Sequence, residues 1–191
     1  MTLLIAGLIL FLGIHTLPMF TATSSTLKAK LGEGGYKGLF TLVAVVGFIL
    51  IIYGYGTARF EGSPIIYDPP FWLRHVTMLL MVPVFIFLIA AYVPCHIKRV
   101  LKHPMLVAIK IWALAHLLAN GDLASLLLFG GFLVWAVVDR ISVKRRGGAS
   151  APVAVRPPLK YADAGVILAG LLLYGLFVWK LHILLIGVPV T

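Results

Sequence analysis

Six ionisable side chains interrupt otherwise apolar stretches of this 191-residue sequence: His15, His75, Lys110, His116, Lys180 and His182. Each lies where the chain reads as membrane-embedded, and a polar group at that depth is costly enough to mark a functional candidate. An imidazole there has three uses: a hydrogen-bonded packing group, a proton relay, or a ligand to a metal or to haem iron. A lone histidine is accounted for by the first use. Two on different helices can face both sides of a haem iron in a bundle core, and His15 and His116 are the deepest such pair. Trp112 and His116 stand four residues apart, which sets an aromatic wall beside an imidazole on one helix face. Lys110 shares a face with His103 one heptad earlier, where it either pairs with a ligand carboxylate or snorkels to the interface.

The elements that must position these groups follow from composition. The chain is 61% hydrophobic and 12% charged, with a mean hydropathy of +1.06, against about 25% charged residues in an ordinary soluble domain. A soluble globular protein is excluded, and a single all-α polytopic membrane bundle over residues 1–191 is expected. Apolar runs cover residues 2–20, 37–56, 72–93, 104–120, 122–138 and 164–187, each long enough or nearly so to cross a core that takes about 20 helical residues. The first run has no basic segment ahead of Leu3 and no small-residue cleavage pattern, so it reads as a retained helix rather than a signal peptide. Continuous apolar runs at 44–52 and 79–91 exclude the alternating segments of a β-barrel.

The formal net charge of +10 would suggest nucleic acid in a soluble protein; here it reads as loop charge. Lys28, Lys30, Lys37, Lys98, Arg99, Lys102, Arg140, Lys144, Arg145, Arg146, Arg156 and Lys160 follow the first, third and fifth runs, whereas the opposite face carries only Arg59 and Arg74. The positive-inside rule then places both termini outside the cytoplasm. The stretch 139–163 passes from basic to Gly/Ala/Ser to Arg156-Pro157-Pro158, a flexible basic cytoplasmic connection that anchors topology or attracts anionic headgroups. Cys95 is the single cysteine, which excludes an intrachain disulfide and a CxxC motif. His96 and His103 fall in a solvated loop, with His103 as an interfacial cap before Pro104. No phosphate-binding, zinc-protease or serine-hydrolase motif occurs.

Residues 104–120 rise only about 24 Å as a helix, less than the hydrocarbon core, so either the far end is submerged or the bilayer is locally thinned. The turn that follows, Asn120-Gly121-Asp122, is tolerated at that depth only inside protein or beside a polar recess, with Asp122 as N-cap of the next helix. Measured from the cytoplasmic edge, His15 stands about 10 Å deep and His116 about 18 Å. Tilt absorbs much of that offset of about 8 Å; His75 and His182 match the depth of His116 better and stand as alternative ligands.

Four strings carry a family resemblance: GLILFLGIHTLP, LGEGGYKGLF, PPFWLRH and IKRVLKHPMLVAIKIWALAHLLANGDLASLLLFG. They resemble the bacterial NnrU family over nearly all of the chain. That family is in turn similar, more distantly, to plant and cyanobacterial zeta-carotene isomerase, a haem b membrane protein that converts a cis double bond of a carotenoid to trans. The resemblance implies haem b with axial ligands at His15 and His116. It also implies a departure: the isomerase has a cysteine three residues before the second axial histidine, and this chain has Ala113 there. Ligand exchange by that route is absent, while two-histidine ligation is unaffected.

The NnrU resemblance implies a place in the bacterial inner membrane and a link to denitrification, with nitrite or nitric oxide handled through redox chemistry. Three expectations follow: a haem b protein of nitrogen-oxide metabolism, a haem-dependent isomerase of a polyene lipid, or a cofactor-free assembly factor whose histidines tie helices together. If the ring lies in the outer half near His116, its propionates meet Arg74 first and Arg59 second, since guanidinium pairs well with carboxylate. Small residues such as Gly130, Gly131, Gly165 and Gly170 permit close packing, but spacing of this kind does not specify a homo-oligomer.

Overall fold

Helix is the only regular backbone that satisfies its own polar groups in lipid without closing into a barrel, and the apolar runs fold accordingly. The computed structural model describes residues 1–146, 160–188 and 190; among them the only β-pairing outside the helices is an isolated antiparallel bridge between Ile65 and Asp122. Five helical segments are long and apolar enough to cross a membrane, and a sixth apolar helix, Pro104–Ala119, is shorter. At most 22% of any spanning stretch is buried inside the protein, so most of each span faces outward, as lipid-facing helices do. This is a multi-pass membrane protein.

The chain divides into two compact units. The first holds α1 (Thr2–Thr16), α2 (Thr21–Phe60) and α6 (Leu123–Arg145), with the last turn of α5 (Pro104–Ala119) from His116 onward. α1 ends in a 3-10 turn at Leu17–Met19, which contains Pro18. α1 and α2 meet backbone to backbone. A Cβ on Gly54 would stand 2.2 Å from the Leu4 nitrogen, one on Gly7 2.6 Å from the Ile51 nitrogen, and one on Gly47 2.7 Å from the Phe11 nitrogen. Such glycines let membrane helices approach closely where no hydrophobic effect drives them together. Leu4, Ala58, Ala124, Ser125 and Phe129 are buried in this unit.

Two expectations about its boundaries are corrected. Lys28, Lys30 and Lys37 lie on α2 and not in a loop, because hydropathy registers where the chain is apolar rather than where it is helical. The stretch 27–31 is made of good helix formers, and Glu33 pairs with Lys37 at 2.8 Å one turn on. The break comes only at Gly32, whose φ of 70° is open to glycine at little steric cost. Likewise α6 runs past residue 138 to Arg145, so the first part of the expected connection 139–163 is helix. No glycine or proline occurs between Asp139 and Arg146, and Arg146 ties the helix end by donating from Nη1 to the Pro18 carbonyl at 2.8 Å. The rest of that connection, residues 147–159, lies outside the described residues.

The second unit contains α3 (Leu73–Ala90), α4 (His96–Leu101), the body of α5, and α7 (Ala162–Leu176), which continues through a π-helical turn, Phe177–Leu181, into α8 (His182–Ile186). α3 and α7 pack where Gly170 leaves room for Ile86; a Cβ there would lie 2.6 Å from its Cγ1. Ala90, Cys95 and Val166 form a buried cluster. His96, expected in a loop, opens α4: Asp163 accepts from the Ile97 nitrogen at 2.9 Å and the Cys95 sulfur from the Lys98 nitrogen at 3.4 Å. The Thr77 hydroxyl donates to the Ala115 carbonyl at 2.7 Å and joins α3 to α5.

Candidate functional site

His15 is the penultimate residue of α1. Its Nδ1 lies 2.6 Å from the Phe11 carbonyl, and a carbonyl can only accept, so Nδ1 carries the proton. The neutral ring then presents Nε2 as its lone-pair nitrogen, the arrangement found when a backbone carbonyl orients a metal-ligating histidine. Three aromatic rings surround the imidazole: Phe11 at 4.2 Å, Phe40 at 5.1 Å and Trp135 at 6.0 Å, the last edge-on at 88°. The indole Nε1 of Trp135 is enclosed and has no hydrogen-bond partner among the described residues. A buried donor left unsatisfied is uncommon and calls for an explanation.

His116 sits in the last turn of α5, its ring stacked on Phe129 of α6 at 4.6 Å and 24°. The turn beyond it is held from outside. The Tyr67 hydroxyl donates to the Leu117 carbonyl and, at 3.1 Å, to that of Asn120. The Gly121 carbonyl accepts from the Ile66 nitrogen at 2.8 Å, and the Leu123 nitrogen donates to Pro64 at 2.8 Å. Gly121 has no substitute, since a Cβ there would fall 1.8 Å from the Tyr67 carbonyl oxygen. The polar turn is thus covered by protein, and the expected capping role of Asp122 is met, its Oδ1 accepting from the Ser125 nitrogen at 3.0 Å.

An oriented chain of hydrogen bonds leads away from that cap. The Ser125 hydroxyl donates to Asp122 Oδ2 at 2.6 Å, so its oxygen is left to accept from the Tyr55 hydroxyl at 2.9 Å. Arg59 Nη1 donates to the Tyr55 oxygen at 3.3 Å. The Tyr55 ring stands edge-on to Phe129 at 6.2 Å, the same ring that carries His116. Tyr67, in the connection outside the spans, has its phenol pushed above its ordinary value by burial first and by the charge of Asp122 second.

Both members of the expected pair therefore belong to the first unit and both reach α6, His15 through Trp135 and His116 through Phe129. Those two positions are six residues apart in sequence, about 9 Å along a helix axis. Arg59 belongs to the same unit. The remaining candidates lie in the second unit: Arg74 over the Phe71 ring at 5.4 Å, His75 edge-on to the same ring at 5.5 Å, His182 with Nδ1 2.6 Å from the Val188 carbonyl, and half-buried Lys110 and Trp112 on α5. Among the described residues no group of three or more His, Cys, Asp or Glu gathers; the candidate site is a pair of imidazoles in aromatic surroundings.

Sequence reading missed Trp135, Phe129, Tyr55 and Ser125. Tyr55 and Ser125 are 70 positions apart, and nothing local to either announces the other. Trp135 had a weak signal, as a bulky aromatic with a polar handle inside an apolar helix.

A family model described as NnrU protein matches residues 3–190. No curated protein and no solved structure matches the chain.

Proposed function

The chain belongs to the NnrU family over nearly its whole length, and from that premise we propose that it is a haem b protein of the membrane, with His15 and His116 as axial ligands, serving nitrogen-oxide metabolism. The observation that carries the reading is the state of His15. Its Nδ1 proton is committed to the Phe11 carbonyl, so the ring is held in one orientation with Nε2 as the donor atom, and its neighbours are aromatic rings rather than charges. The residues present fit the group: a preset imidazole, an orphaned indole N–H on Trp135 that an acceptor on a bound group would satisfy, and a second imidazole against the same helix.

When bound, haem held by two imidazoles supplies one-electron redox chemistry, and an exchangeable axial position supplies a site for nitric oxide. The chain's own contribution is orientation and exclusion of water. Phe11, Phe40 and Phe129 flank the imidazoles with apolar surface. The hydrogen-bonded chain Arg59, Tyr55, Ser125, Asp122 ties α2 to the first turn of α6, and the Arg59 guanidinium is the basic group of that chain for a propionate. Ala113 is fully buried and carries no group that can exchange with a ligand, so the route implied by the isomerase resemblance has no counterpart here.

The test is a visible spectrum of the full chain purified in detergent from cells supplied with haem. A Soret band with about one haem per protein is expected. His15→Ala and His116→Ala should each lose most of the haem or become high-spin, whereas His75→Ala and His182→Ala should retain a wild-type spectrum. A colourless wild-type protein overturns the reading. So does loss of haem from His75→Ala or His182→Ala with His15→Ala unchanged.

A further inference from the structure

A groove of about 480 Å³ opens between α1 and α6, walled by Leu127, Gly130, Val134 and Val138 on one side and Leu12 and Thr16 on the other. It exists because α6 has glycine where a side chain would fill the space: a Cβ on Gly130 would meet nothing within 4 Å, and one on Gly131 only the side-chain ends of Leu12 at 3.5 Å and Leu8 at 3.9 Å. From Leu126 to Val138 the wall rises about 18 Å at 1.5 Å per residue, close to the depth of one leaflet, half of a core about 30 Å thick. The groove is thus long, apolar and of the length of a single lipid chain.

Its two ends differ in charge. Two helical turns beyond Val138, on the same face of α6, stands Arg145, with Lys144 beside it; both are exposed, and among the described residues neither has an ion-pair partner. Their neighbour Arg146 is engaged instead, by the Pro18 carbonyl at 2.8 Å and by Asp139 at 3.9 Å. At the opposite end the wall begins at Leu126, one turn from the Asp122 carboxylate, which would repel a phosphate.

We propose that this groove binds one acyl chain of an anionic phospholipid, with the phosphate held by Arg145 and Lys144. The apolar wall sets the chain's depth, and Arg145 with Lys144 beyond Val138 set its direction and select a net negative headgroup over a zwitterionic one; at the other end the cation Arg59 is engaged by the Tyr55 hydroxyl at 3.3 Å beside the Asp122 carboxylate. Each basic side chain near a headgroup contributes roughly a fivefold preference for the anionic lipid.

The proposal is tested on the full-length protein in detergent by native mass spectrometry, with equimolar phosphatidylglycerol and phosphatidylcholine of identical chains. Phosphatidylglycerol adducts should exceed phosphatidylcholine adducts by at least about fivefold. Arg145→Glu with Lys144→Glu should bring that ratio to one or below, and Gly130→Phe should lower both adducts by filling the groove. Lys102→Glu with Lys160→Glu, the same change of net charge in the second unit, should leave the ratio as it was. The proposal fails if the wild-type ratio is near one, or if both charge reversals act equally. It also fails if Gly130→Phe, folded by circular dichroism, keeps its lipid, or if a co-purified polyene takes the place of phospholipid. Should Gly130→Phe not fold, the surface reversals still decide the headgroup.

Discussion

Tyr67 shows how one residue can secure a turn that the rest of the helix cannot. Its hydroxyl satisfies the carbonyls of Leu117 and Asn120, groups at a helix C-terminus with no partner inside the helix. Its phenol is raised above the ordinary value of 10.0 by burial and then by Asp122. A raised phenol keeps its proton longer in the folded state than in the unfolded one, so its contribution is intact below about pH 10 and is lost as pH climbs through the folded value. Tyr67→Phe should therefore lower stability at neutral pH by about 1 kcal/mol for the lost hydrogen bond and remove part of the fall in melting temperature above pH 10. Wild-type and variant melting curves with the same alkaline slope would refute this account.

The contact between helices α1 and α2 depends on absent side chains. Gly54 touches the Leu4 backbone, whereas Gly56, two residues on and on the other face, has nothing within 4 Å of a would-be Cβ. Gly54→Ala should destabilise by about 1–3 kcal/mol, as overpacking does. Gly56→Ala should be neutral or slightly stabilising, because alanine is the better helix former. Thermal unfolding of the two variants in the same detergent separates packing from propensity; equal melting temperatures would mean that the helices do not pack through Gly54. The short helix α5 likewise depends on other elements. Its 16 residues are complete only because residues 64–67 take up the polar groups of the turn that follows.

For the whole molecule, the decisive property is how a basic chain distributes its charge across a bilayer. The basic residues that follow the first, third and fifth apolar runs far outnumber Arg59 and Arg74, the two that follow the second, and the positive-inside rule then expects both termini outside the cytoplasm. A reporter fused after Thr191 should be active outside the cytoplasm and one inserted at Ala149 inside it; the reverse activities would overturn the proposed orientation. The chain also re-enters its first unit inside α5, between Ala115 and His116, so His116 joins a unit whose other helices lie on both sides of it in sequence.

Membrane class and helical content were determined by the sequence alone, because lipid leaves a chain this apolar few backbone choices and hydropathy reports them directly. The Asp122 cap and the Asn120-Gly121-Asp122 turn were legible for a similar reason: their chemistry is local, acting within three residues. Other features depended on residues far apart. The helical state of residues 21–36 was not visible to hydropathy, since a helix that leaves the apolar phase carries no apolar signature. The Nδ1 proton of His15 is local in origin, yet its meaning depends on Phe40 and Trp135, brought in from two other helices. The Tyr55–Ser125 bond and the stacking of His116 on Phe129 required α2, α5 and α6 to be packed first. Contacts between distant segments are selected by how closely the backbones can approach, and that was decided by Gly7, Gly47 and Gly54, whose role appears only once there is a second helix to touch.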